Sequence, residues 1–194
     1  MREKGKGTLE FIGLCVLVVA VTKWMPAQAA EPPGIPPEIV AEYLHAIIQA
    51  ERTLYSTHVV ERLQDLEITE ASEEWKARGT VPLPAQMLQM TGQEVQGYGL
   101  GLRLRLASLW PIYGKNKPAD QFERAGLEAV ANDPKKPYTG MIVQGDKRYF
   151  KAIYADRAVT KACVQCHNNH PTSPKRDYQL YDVIGGIIIL FPVP

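Results

Sequence analysis

The stretch Cys163-Val164-Gln165-Cys166-His167 has the form C-x-x-C-H, the attachment signature of a c-type haem. Two thiols separated by two residues can each form a thioether to one haem vinyl group. The histidine that follows reaches the iron from the same side, and an imidazole nitrogen is a strong axial ligand. Other uses of C-x-x-C fit the surroundings less well. A thioredoxin-like dithiol belongs in a βαβ context, which Asp156 to Ala162 do not supply. A zinc site wants a second ligand pair, and the remaining cysteine, Cys15, sits in an apolar N-terminal run. The motif therefore asks for one covalent haem c held by Cys163, Cys166 and His167. It also asks for export, because c-type haem is attached in the periplasm.

The N-terminus supplies the matching signal. Arg2, Lys4 and Lys6 precede an apolar run from Phe11 to Val21; Lys23 and Trp24 end it, and Ala27-Gln28-Ala29 follows as an A-x-A processing site. The run is too short to span a bilayer, which takes about 20 residues. Residues 1–29 thus read as a cleaved signal peptide, with an uncleaved N-terminal anchor as the rival. The protein is expected to be periplasmic, touching the membrane only if that segment is retained.

Four of the 22 basic and two of the 21 acidic side chains lie in residues 1–29. The remainder, 18 basic and 19 acidic, is close to neutral and gives no electrostatic case for nucleic acid as a partner.

Residues 30–37 are a proline-rich linker, and 38–194 form one domain. A long helix is expected from Glu38 to about Leu66. At about 100° per residue, Val40, Tyr43, Leu44, Leu54 and Tyr55 fall within about 80° of Ile47. His58 falls about 20° from Ile47 and His45 about 160° away, so His58 is expected to face the core and His45 solvent or a partner. Ala85 to Met90 reads as a short helix. Leu100 to Leu106, with Arg103 and Arg105 between the leucines, reads as a strand with one buried face. A helix over Ala119 to Asn132 precedes two strands, Tyr138 to Val143 and Arg148 to Tyr154, joined tightly at Gln144-Gly145-Asp146-Lys147. The alternation of Tyr149, Lys151 and Ile153 suits a half-covered sheet. Val183 to Val193, with the run Ile187 to Phe191, suits a central strand buried on both faces. This order gives an α+β domain, an antiparallel sheet packed on a long N-terminal helix.

His167 fills one axial position of the iron. For the other the chain offers His58, and also His45, the methionines Met87, Met90 and Met141, or an open site. His58 is the preferred candidate, as a second metal ligand on the apolar helix face. His170 is too close to His167 to reach the opposite side of the ring. Buried propionates need compensation, which Arg103 and Arg105, or Arg52 and Tyr55, can supply; against these stands a solvated strand face. Tyr149, Phe150 and Tyr154 are close enough in sequence to pack on the ring.

The chain resembles the periplasmic c-type haem, PAS-like sensor-domain family. The resemblance is carried by Arg52, Tyr55, Thr57 and Val59-Val60, by Val81-Pro82-Leu83-Pro84-Ala85 and by Arg103 to Ser108. Asn116 to Glu123, the C-x-x-C-H and Asp182-Val183-Ile184-Gly185-Gly186 complete it. It implies a PAS-like sheet flanked by a long N-terminal helix with haem between them. It also implies His167 as proximal ligand and a distal ligand from the N-terminal half. Some relatives use cysteine there; after residue 29 this chain keeps only Cys163 and Cys166.

Two functions follow. One is a monohaem c-type cytochrome acting in electron transfer or redox sensing; the alternative is a diatomic-gas sensor that signals through a separate partner protein. Both call for a redox or signalling partner, and a homodimer stays open. Peroxidase-like catalysis would need distal acid–base residues that the sequence does not point to, so no enzymatic role is expected.

Overall fold

The structure is a computed structural model that describes residues 34–194. The expected signal or anchor lies outside the described residues.

The N-terminal helix begins where proline allows it. Pro37 occupies the first turn, where its fixed φ suits a helix and its missing N–H goes unnoticed, and Glu38 faces the positive end of the dipole. The helix, α1, runs Pro37–Leu54, continues through a π-helical segment Tyr55–Glu61, and finishes with a turn of α2, Arg62–Asp65. A small parallel bridge follows, between β1 (Ala71–Ser72) and β2 (Val81–Pro82), around α3 (Trp75–Arg78). Then come α4 (Pro84–Gly97), β3 (Arg103–Ala107) and α5 (Gln121–Asn132), the last capped by Asp120, whose carboxylate accepts from Glu123 N at 2.8 Å. The hairpin of β4 (Tyr138–Gln144) and β5 (Lys147–Arg157) turns at Gly145, whose φ of +64° glycine adopts freely. Helix α6 (Lys161–Asn169) and β6 (Val183–Val193) complete the domain.

The main sheet has the order β3-β6-β5-β4 and is antiparallel throughout. Strand β6 is central and its residues Ile187 to Leu190 are buried on both faces, each isoleucine contributing about 1.5–3 kcal/mol. On one face Leu104, Leu106, Phe150, Ala152 and Tyr154 pack with Ala41 and Ile48 of α1 and Leu88 of α4. On the other, Ala107, Ile153 and Ile188 pack with Leu127 and Val130 of α5. This corrects the expectation of a half-covered sheet. Lys151, which suggested a solvent face, is only 4 % exposed because it meets two carboxylates: Nζ lies 2.9 Å from Asp120 Oδ2 and 2.9 Å from Glu123 Oε1. Glu123 also accepts from Arg105 at 3.1 Å and from Ala119 N at 2.7 Å. Reading the alternation as wet was wrong because a paired lysine can be as buried as an isoleucine.

The phase of α1 is also different from the expected one. Ile47 is 68 % exposed, and Tyr43 and Leu54 lie open beside it, whereas Ala41, Ile48, Ser56 and Val60 are buried. The helix meets the sheet through small and polar residues, which a count of large apolar side chains does not weigh.

Breaking the buried cluster should be costly. Lys151→Ala is expected to destabilise by about 3 kcal/mol in urea unfolding, since Glu123 would be left inside the protein with Arg105 as its one charged partner. Burial alone would raise the Asp120 carboxyl, but its hydrogen bond to Lys151, the Glu123 amide, and the charges of Lys151 and Arg105 hold it below the ordinary value. A depressed pKa contributes stability above the unfolded value of about 3.9, lost as pH falls through the folded one. Unfolding free energy should therefore drop below about pH 4, less steeply in Asp120→Asn.

Candidate functional site

The C-x-x-C-H stretch does not lie in a loop. It forms the body of α6, started by Thr160, whose hydroxyl accepts from Cys163 N at 3.3 Å. Helical spacing of three and four places Cys163, Cys166 and His167 on one side of this helix. All three line a cleft bounded by the ends of β3 and β5, the start of β6, and the segment Trp110–Asn116. The cleft has a cavity volume of about 160 Å³ and is open to solvent on one side. Leu83, Leu106, Ile112 and Ile184 make the lining largely apolar.

Both cysteines are free thiols. Burial, followed by the charges of Glu73 and Cys163, pushes the Cys166 thiol up, although part of its side chain reaches the surface. That is opposite to the lowered thiol of a dithiol oxidoreductase. The His167 ring is held below its ordinary pKa by burial; Asp156 opposes this, and Arg52 and His170 add to it. A neutral imidazole is the form that binds metal. Its Nδ1 is buried without a partner, and its ring stands edge-on to Tyr178, centroids 5.6 Å apart. Among the described residues no three His, Cys, Asp or Glu side chains converge as a cage for a bare ion. Two thiols on one helix face, an adjacent neutral imidazole and an apolar cleft fit a covalently held haem.

His170 has both ring nitrogens in use. Nδ1 accepts from Thr172 N at 3.2 Å, which leaves Nε2 to donate to Glu73 Oε1 at 2.8 Å. It lines the cleft with neither nitrogen free.

Several expected site residues lie elsewhere. His58 is exposed and does not line the cleft; the core-facing histidine is His45, stacked on Tyr154 with ring centroids 3.8 Å apart, its Nε2 buried without a partner. Burial lowers the His45 pKa, with Glu42 and Asp156 opposing. Arg103, Arg105 and Tyr149 are on the sheet face covered by α5. Arg103 lies over the Tyr149 ring at 5.8 Å and donates to Gln144, and Arg105 serves Glu123 and the Lys117 carbonyl. The expected propionate role of Arg103 and Arg105 and the expected packing of Tyr149 on the ring therefore do not fit their place, away from the cleft. Tyr154 is on the cleft face of the sheet, its hydroxyl pushed up to about 12 by burial and by Glu42. Tyr55 donates to the Pro82 carbonyl at 2.7 Å.

Arg52 is the earlier candidate that the structure does place in the cleft, and its partner Asp156 had no signal in the sequence. Nε and Nη2 donate to Asp156 Oδ1 and Oδ2 at 2.8 and 2.7 Å, both side chains being more than nine-tenths buried.

A family model described as Tll0287-like matches residues 37–192. The chain belongs to the Tll0287-like family. The family resemblance read from the motifs is thereby borne out. Among solved structures, the Tll0287-like domain is similar to the cyanobacterial heme-protein Tll0287. The TM-score is 0.52 at 13% identity, over 82% of this chain and 98% of that one. At such identity the likeness concerns the fold. No curated protein matches.

The cap that starts α6 can be tested directly. Thr160→Ala removes the acceptor for Cys163 N and should cost about 1 kcal/mol in urea unfolding of the haem-free chain, with Thr160→Ser restoring most of it.

Proposed function

We propose that this chain is an exported haem protein. In this reading it carries one haem, attached through Cys163 and Cys166 with His167 as axial ligand, and acts in electron transfer or redox sensing. The observation that carries the reading is the helix α6, which turns two thiols and a neutral, partner-free imidazole into one apolar cleft. The haem of the similar cyanobacterial protein supports it. When bound, such a group supplies a one-electron couple. The chain's own residues hold it, exclude water from its buried side and keep the imidazole neutral.

A protein partner is part of the proposal, because an apolar stripe on α1, Ile39, Tyr43, Ile47 and Leu54, stands open to solvent. The reading assigns no catalytic role and does not use His58, whose ring faces away from the cleft.

The test is to express the full chain with a cytochrome c maturation system and examine the product after denaturation. Haem should stay with the polypeptide and be lost in Cys163→Ala/Cys166→Ala; a wild-type product free of covalent haem would end this reading. His167→Ala should alter the ferric spectrum strongly, while His58→Ala should leave it unchanged.

A further inference from the structure

Arg52 carries five N–H donors on a rigid, planar fork. Three of its features coincide. Its Nε and Nη2 are committed to Asp156. Its side chain is 8 % exposed and lines the cleft. Its Nη1 is buried with no partner. Leaving a buried charged donor unpaired is costly, so an arrangement of this kind suits a site whose acceptor arrives from outside the chain. Asp156 holds the guanidinium by a two-point contact, which aims Nη1 away from the pair. Tyr113 lines the same cleft, and its hydroxyl is likewise buried and unpartnered.

We propose that Arg52 Nη1, assisted by the Tyr113 hydroxyl, is the anchor for a carboxylate seated in the cleft. The ligand class follows from the donors: planar guanidinium N–H groups match carboxylate oxygens in direction as well as charge. Asp156 already balances the charge of Arg52, so the anchor works by aimed hydrogen bonds and has little long-range pull on anions. That favours a carboxylate that is tethered in place. A haem propionate is such a group, and in this form the inference rests on the haem reading; a small free carboxylate is the other source. Arg103 and Arg105 are excluded from this role by their place on the opposite sheet face, engaged with Gln144, Tyr149 and Glu123.

The experiment compares wild type and Arg52→Lys, both as full chains matured with haem. Lysine keeps a cation beside Asp156 but loses the fork. Resonance Raman in the propionate-bending region is expected to show the wild-type band displaced in Arg52→Lys, with covalent haem content and far-ultraviolet circular dichroism unchanged. Acetate titration of the same preparations distinguishes the sources. A free carboxylate predicts an unmoved propionate band and a saturable acetate-dependent Soret change, weakened at least tenfold in the variant. If neither the band nor the acetate response depends on Arg52, the assignment is overturned. Should Arg52→Lys fail to fold, Arg52→Gln/Asp156→Asn exchanges the ion pair for an amide pair without a guanidinium and is judged by the same readouts. If the wild-type chain takes up no haem, the haem reading fails on its own. Acetate binding is then followed by the fluorescence of Trp110, which lines the cleft, and its independence of Arg52 would overturn the anchor as well.

Discussion

The ion pair of Arg52 with Asp156 ties together the two parts of the chain on which the cleft depends. It joins the end of α1 to the end of β5 across 104 positions of sequence. Burying two charges is expensive, and their attraction offsets the cost only when geometry and further hydrogen bonds are good. Here the contact is bidentate and both side chains are almost fully buried. Such a pair adds little net stability over an apolar substitute, but it tolerates almost no displacement. It fixes where α1 ends against the sheet, and α6 begins five residues after Asp156, at Lys161.

Strand β5 distributes the chemistry between two faces. Phe150, Ala152, Tyr154 and Asp156 face α1, so a histidine, an arginine and the cleft are gathered on that side. Tyr149, Lys151 and Ile153 face α5, where Lys151, Glu123, Asp120 and Arg105 form a closed cluster with its partners satisfied. The first side has unpartnered nitrogens at Arg52 and His167; the second uses its charges to hold a helix. Polarity alone does not separate a site from a scaffold. Unmet hydrogen bonds do.

Much of this was legible in sequence. Strand β6 was placed by its bounds and its two-sided burial, and the β4–β5 hairpin by its alternation and glycine, because those signals are local. The C-x-x-C-H residues meet in the cleft because covalent spacing on one helix guarantees it. What sequence could not supply were partners far apart in the chain. Lys151 read as wet because its carboxylates lie about thirty residues upstream, and Arg52 read as one of several propionate candidates because Asp156 carries no local pattern. Helix α6 carries one local signal, Thr160, an N-cap residue three positions before Cys163.

The exchange of the two histidines follows from which stripe of α1 is buried: Ile47, Tyr43 and Leu54 are exposed, and His58, about 20° from Ile47, faces outward with them. Buried positions recur at Ile48, Arg52, Ser56 and Val60, a step of four each time. In an α-helix a step of four advances by about 40° beyond a full turn, so this series would rotate away from the sheet. The π-helical segment Tyr55–Glu61 bonds one residue further along and turns less per residue, which keeps the series on one side. His58, midway between Ser56 and Val60, stays on the outward stripe. His45, four residues after Ala41 and three before Ile48, stays on the sheet side whatever happens beyond Leu54. Segments of this type are frequent at functional sites, and this one begins three residues after Arg52, which lines the cleft. It delivers Val60 and Gln64 to the cleft wall, which a continuous α-helix would turn elsewhere.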